Sequence, residues 1–222
     1  MRLKLFKNVE AMEVAALSLL ETRMRMATSQ PYALILPGGR TPLGIYQALA
    51  GNPMKVSGGL RIILSDERHV PIDSADSNYR TMRDMIQALG IRDDHVLRVY
   101  TEFSLEEAAN RYDAALRAYI GKGGRIKLGL LGLGPDGHTA SLFGANDIFR
   151  GQGRYAMAVK RDPGINRISV TRDLLQKAEQ IVFMASGVEK GEVVHRLTKN
   201  PGSVPAGMAV EDIRNVDIWY AP

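Results

Sequence analysis

Lys127-Leu128-Gly129-Leu130-Leu131-Gly132-Leu133-Gly134-Pro135-Asp136-Gly137-His138-Thr139-Ala140-Ser141-Leu142-Phe143 reads as a strand that runs straight into a tight loop. The apolar run from Leu128 to Leu133 has the length of a buried strand, and Gly134-Pro135-Asp136-Gly137 ends it with turn residues. Gly132, Gly134 and Gly137 carry no side chain, so the backbone there can take positive φ and its amides can approach a bound group closely. Asp136 and His138 stand two residues apart in this loop. A carboxylate near an imidazole favours the cationic ring, which makes the ring a better proton acceptor near neutral pH. A surface turn built on an Asx-type Asp136, with His138 incidental, is the alternative reading of the same residues. The spacing Gly132-Leu133-Gly134-Pro135-Asp136-Gly137 also fits a dinucleotide fingerprint. That reading fares poorly, because Asp136 would put a carboxylate where a pyrophosphate belongs, and no acidic residue ends a second strand about 20 residues on.

Upstream, Leu3 and Leu5 suggest a short strand. Val9, Met12, Ala16, Leu17, Leu20 and Met24 then recur at helical spacing, predicting a helix to about Thr28 with Asn8 as its N-cap. Tyr32 to Leu36 reads as a buried strand that feeds Pro37-Gly38-Gly39-Arg40-Thr41-Pro42. Thr41 can cap the next helix and Pro42 suits its first position, which puts Gly38 and Gly39 just before a helix N-terminus and makes an anion site. Arg40 is a cation beside the positive end of that helix, which is unfavourable unless an anion lies between them or the side chain turns to water. The helix is expected to bury Leu43, Tyr46 and Leu49 and to stop at Gly51-Asn52-Pro53. Leu60 to Ser65 predicts another strand, with Asp66-Glu67-Arg68 crowded at its end, either as a solvated corner or as part of a site where parallel strands finish. A helix carrying Met82, Met85, Ile86 and Leu89 follows and closes at Gly90. Val96 to Tyr100 predicts a strand, and Ser104-Leu105-Glu106-Glu107 is a capping box for a helix through Ile120.

Downstream, Ser141 reads as a local cap rather than a nucleophile, since no G-x-S-x-G elbow exists. Tyr155 to Val159 and Arg167 to Val170 are predicted strands joined by a turn at Asp162-Pro163-Gly164. Gln180 to Ala185 predicts a buried strand, and Ser186-Gly187-Val188-Glu189-Lys190-Gly191 opens a helix carrying Val193, Val194 and Leu197. Lys190 is again a cation in a first helical turn. Pro201 to Pro205 reads as a loop and Asp217 to Tyr220 as a closing strand. His69, His95 and His195 show no partner spacing.

The alternation of strands and helices implies an α/β fold, three layers with a mostly parallel sheet between helices. The 222 residues are 45% hydrophobic and 24% charged, enough for one globular domain over 1–222. No run of 18 apolar residues suggests a membrane span, and the N-terminal residues lack the pattern of a secretory signal. The absence of cysteine excludes disulfides, thiolate metal sites and a cysteine nucleophile, and fits the cytoplasm. A net charge of +5, spread along the chain without aromatic interleaving, gives nucleic-acid binding little support and suits a small anionic substrate. Asp136 and His138 are two candidate metal ligands with no third nearby, so no metal or other cofactor is expected. Monomer and homo-oligomer are both left open.

Three blocks carry a resemblance. Gly132-Leu133-Gly134-Pro135-Asp136-Gly137-His138-Thr139-Ala140-Ser141-Leu142-Phe143 resembles the signature of the 6-phosphogluconolactonases. Gly38-Gly39-Arg40-Thr41-Pro42 resembles their first block, and Asp66-Glu67-Arg68 with Val70-Pro71 and Ser77-Asn78 their second, in the family's order. Gly144 departs from it, since a proline is usual after Ser-Leu-Phe. The resemblance covers nearly the whole chain and implies the fold of sugar-phosphate isomerases and coenzyme A transferases. It implies hydrolysis of a small phosphorylated sugar lactone, with His138 as general base and Asp136 orienting it. Loop amides at Gly134 and Gly137 would steady the oxyanion, Arg40, Thr41, Arg68 and Lys190 would hold the phosphate, and Gly38, Gly39 and Asp66 would line the pocket. Arg167 resembles the family's Arg-Val-Thr strand, and either reaches the site from a sheet edge or serves a structural ion pair. The deaminases that share the fold resemble Asp-Gly-His followed closely by a carboxylate, which Thr139 to Gly144 lacks. A sugar-phosphate sensor would be expected to carry a helix-turn-helix, and none is visible.

Overall fold

The computed structural model describes residues 1–28, 30–39 and 41–222. In chain order the elements are β1 (Arg2–Leu5), α1 (Val9–Met24), β2 (Tyr32–Leu36), α2 (Leu43–Gly51), β3 (Leu60–Leu64), β4 (Asp66–Arg68), α3 (Asn78–Ala88) and β5 (Val96–Leu97). They continue as α4 (Leu105–Gly121), β6 (Arg125–Gly132), α5 (Ala145–Arg150), β7 (Ala156–Val159), β8 (Arg167–Val170), α6 (Arg172–Leu175), β9 (Ile181–Ser186), α7 (Gly191–Lys199), α8 (Pro205–Ala209) and β10 (Val216–Ala221). Seven strands form one sheet in the order β1-β10-β9-β6-β2-β3-β5, and every pairing in it is parallel. From β2 the chain moves outward to β3 and β5, and from β6 it moves the other way to β9 and β10. The direction therefore reverses between β2 and β6, and a crevice opens there at the carboxyl ends of the strands.

Both sheet faces are covered, which is why β2 and β6 read as nearly continuous apolar runs. Tyr32, Leu34 and Leu36 of β2 pack with Met12, Leu20, Tyr46 and Met82 from α1, α2 and α3. Ala33 and Ile35 point the other way, into a core with Tyr112, Leu116 and Val194 from α4 and α7. Each fully buried leucine or isoleucine in these layers contributes about 1.5–3 kcal/mol. On the α4 and α7 side lies a second sheet, β4-β8-β7, which is antiparallel. Among the described residues no helix is long and apolar enough to cross a membrane.

Several expectations need correction. The first helix ends at Met24 rather than near Thr28, and Val9 is exposed; the Asn8 side chain does accept from the Ala11 amide at 2.9 Å. Thr41 does not cap α2: Pro42 occupies the N-cap without a side-chain bond, and the helix buries Ile45, Tyr46 and Leu49 while Leu43 stays exposed. Leu43 is the first helical residue, at the open end of the helix, and Ile45, adjoining Tyr46 and Leu49 on the helix surface, widens the buried stripe instead. Asp66-Glu67-Arg68 is not a solvated corner but a strand, which the sequence did not show because its antiparallel partner β8 lies about 100 residues on, beyond any local signal. Ser104 makes no side-chain cap bond, β5 is only two residues long, and α5 and α8 are helices that the sequence reading did not assign. Gly144 takes φ −161°, a value closed to the proline ring, so the loop there differs from one that proline would shape.

Candidate active site

The two loops flanking the reversal point, after β2 and after β6, face one cavity of about 370 Å³. Its wall includes Gly38, Gly39, Asp66, Arg68, Gly134, His138, Arg167 and Lys190. A larger hollow of about 640 Å³ lies near Arg117 and Arg172, but those arginines are already paired with Asp113 and Asp212.

The loop after β6 folds over itself. Gly134 N donates to His138 O at 2.8 Å and Gly137 N to Gly134 O at 3.0 Å, so both amides are taken up inside the loop. Their expected part in steadying an oxyanion is therefore corrected. The glycines serve geometry instead: Gly137 sits at φ +89°, and a Cβ on Gly134 would stand 2.1 Å from His138 Nδ1. His138 Nδ1 meets Asp136 Oδ1 at 2.5 Å, and the same oxygen accepts from the His138 backbone amide at 3.2 Å. An ionised Asp136 accepts from Nδ1, which in the neutral ring selects the tautomer whose Nε2 carries the lone pair. Burial pushes the Asp136 carboxyl up, but the hydrogen bonds and charge of His138 outweigh it, and its pKa lies below the ordinary value. Phe143 packs against the imidazole with ring centres 4.7 Å apart. Asp136 itself stands behind the histidine rather than in the cavity wall.

Lys190 occupies the N-cap of α7, and its Nζ donates to Leu133 O at 2.6 Å. Burial depresses its pKa, with Glu189 and Asp136 pulling the other way. Arg68 and Arg167 are direct cross-strand partners in β4 and β8. Like charges placed opposite each other are unfavourable unless an anion joins them. Arg68 Nη1 donates to Asp76 O at 2.7 Å, whereas Arg167 Nη1 is buried with no partner among the described residues. Burial and the Arg68 charge together depress the Arg167 pKa. The structural ion pair considered for Arg167 is thus not formed among the described residues, and its side chain lines the cavity. Thr41 is not part of the wall, and Arg40 lies outside the described residues.

Beside the expected Asp66 the wall holds Ser65, Asn78 and Ser141, to which sequence reasoning gave no part in the pocket. Asp66 is 9% exposed, and its carboxylate accepts from Ser65 Oγ at 2.8 Å and Ser141 Oγ at 2.6 Å. Ser141 is thus a partner of Asp66 and not a local cap. Asn78 Nδ2 donates to Asp66 O at 2.9 Å. Glu67, only 1% exposed, accepts from the amides of Asn78 and Tyr79 at 2.7 and 2.8 Å, so it caps α3 and anchors Asn78. Burial raises its pKa against those bonds. The one local signal was Ser77-Asn78 at the start of a helix; of the two hydroxyl partners of Asp66, Ser65 is its neighbour in sequence and Ser141 lies 75 positions away. Among the described residues no three His, Asp or Glu side chains gather as a metal site.

The arrangement can bind an anion beside an oriented imidazole. A family model for glucosamine-6-phosphate isomerases and 6-phosphogluconolactonase matches residues 7–219. Over 191 residues, 84% of this chain and 82% of the other, the sequence is 32% identical to a 6-phosphogluconolactonase of Thermotoga maritima. A crystal structure of 6-phosphogluconolactonase from Thermotoga maritima matches with a TM-score of 0.82 at 25% identity, over 99% of this chain and 98% of that one. A monomeric glucosamine-6-phosphate deaminase matches with a TM-score of 0.79 at 17% identity, over 99% and 97% of the two chains. Two chemistries share this fold, so the fold alone does not choose between them.

Proposed function

The chain belongs to the glucosamine-6-phosphate isomerase and 6-phosphogluconolactonase family, and from that premise we propose that it hydrolyses 6-phospho-D-glucono-1,5-lactone to 6-phosphogluconate in the oxidative pentose phosphate pathway. The observation that carries this reading is the single cavity in which His138, backed by Asp136, faces Arg68, Arg167 and Lys190. A lactone is a strained ester, so direct attack by water suffices and no covalent intermediate is required. His138 Nε2 takes a proton from water as the oxygen attacks the carbonyl carbon, and Asp136 stabilises the imidazolium that results. The tetrahedral intermediate then collapses, the ring C–O bond breaks, and the imidazolium returns the proton to the departing ring oxygen. The three cavity cations hold the phosphate and offset the charge that develops on the carbonyl oxygen. Gripping the phosphate orients the ring over the base.

Deaminase chemistry is disfavoured because Thr139 to Gly144 contains no acid close after the histidine. The test is to mix the protein separately with freshly made lactone and with glucosamine 6-phosphate, following acid release and ammonia. Acid release above the spontaneous rate is expected; ammonia without lactone hydrolysis overturns the proposal. In the His138→Asn variant turnover should fall by about 10²–10⁴ with binding of 6-phosphogluconate kept.

A further inference from the structure

Asn78 and Arg167 of the cavity wall each keep a buried hydrogen-bonding atom that has no partner among the described residues. Asn78 is 2% exposed, and Asp66 decides how its amide is turned. Nδ2 donates to Asp66 O at 2.9 Å and to Asp66 Oδ1 at 3.3 Å, and flipping the amide would set oxygen against oxygen. Oδ1 therefore points away from Asp66, and it is buried with no donor among the described residues. Gly38 leaves room for it: a Cβ at that position would stand 1.9 Å from Oδ1. In the same wall, Arg167 Nη1 is buried and has no acceptor among the described residues. An orphaned buried group in a native protein calls for an explanation, and a ligand that completes it is one.

The two orphans ask for different things. Arg167 wants an acceptor, which a phosphate, carboxylate or carbonyl oxygen supplies. Asn78 Oδ1 wants a donor, which a phosphate dianion cannot be. We propose that Asn78 is a specificity-determining residue whose Oδ1 accepts a hydrogen bond from a hydroxyl of the substrate's sugar ring. The inference rests on the reading of the chain as a 6-phosphogluconolactone hydrolase and names the residue through which a ring hydroxyl of that substrate is recognised. Asp66, bonded to the Asn78 amide, lines the same cavity as Arg68, Arg167 and Lys190, so a sugar hydroxyl at Asn78 lies in one pocket with the cations that meet the substrate's charged end.

Calorimetric binding of two probes tests the idea. One is 6-phosphogluconate, and the other is 6-phosphohexanoate, which keeps the chain length, phosphate and carboxylate but has no hydroxyls. The wild-type protein should prefer 6-phosphogluconate by at least about tenfold, because an analogue lacking the hydroxyl leaves a buried acceptor unpaired. Asn78→Leu, close in shape, should lose about tenfold in affinity for 6-phosphogluconate and much less for 6-phosphohexanoate. Both affinities come from one preparation, so an unfolded fraction cancels in their ratio, and Asn78→Ala replaces the leucine variant if that one does not fold. A full wild-type preference in the variant overturns the inference. A wild-type protein that neither binds 6-phosphogluconate nor hydrolyses the lactone overturns the parent reading instead.

Discussion

Gly134→Ala probes the histidine without touching it. A Cβ at this position would lie 2.1 Å from His138 Nδ1, 2.3 Å from Cε1 and 2.6 Å from Asp136 Oδ1. To reach 3.4 Å, the near edge of ordinary contact, the ring must retreat by about 1.3 Å. Gly134 is not among the glycines at positive φ, so alanine itself fits the backbone and the strain falls on the side chains. The imidazole is 28% exposed and has somewhere to go, while the Asp136 contact it gives up is half in solvent. The stability loss should therefore stay within about 1 kcal/mol. A misplacement of about 1 Å in a reacting group costs on the order of 10² in rate. The expected result is a kcat lowered by about 10²-fold, with the affinity for 6-phosphogluconate changed by no more than about twofold, since Arg68, Arg167 and Lys190 do not move. Continuous acid release from fresh lactone, corrected for spontaneous hydrolysis, gives kcat, and calorimetry gives the affinity. Gly144→Ala is the control, because a Cβ there meets nothing within 4 Å. A Gly134→Ala enzyme as fast as this control would refute the claim that the His138 ring position sets the rate.

Three other outcomes follow from the same geometry. Burial depresses the Lys190 pKa below 10.5, and an arriving phosphate favours the charged amine, so affinity for 6-phosphogluconate should fall as pH rises through a value below 10.5. Lys190→Met should bind more weakly and lack that pH limb; a limb of unchanged position in the variant would assign it to another group. By linkage, the same depressed pKa favours folding of the free protein above pH 10.5, and this contribution is lost as pH falls through the folded value. Ser141→Ala removes the 2.6 Å donor from the buried Asp66 carboxylate, a loss of about 2 kcal/mol or roughly 4–8 °C in Tm for a chain of this size. An unchanged melting temperature would mean that Asp66 does not depend on this bond.

The apolar stretch Tyr32 to Leu36, the strand Arg167 to Val170, the Asn8 cap and the turn Gly134-Pro135-Asp136-Gly137 were legible in the sequence. Periodicity, capping and turn chemistry act over a few residues, and a single chain displays them. The proximity of Asp136 and His138 was legible for the same reason, since a two-residue separation in a tight loop leaves little freedom. The fold decided what depends on pairing at a distance: that β2 and β6 are neighbours, that Arg68 sits opposite Arg167, and that Ser141 reaches Asp66 across 75 positions of sequence. It also decided that the Gly134 and Gly137 amides are spent inside their loop and that Glu67 caps α3. Local composition names the groups that can do chemistry, but a hydrogen bond or a charge contact needs a partner within a few ångströms, and strand order and register alone bring such distant partners together.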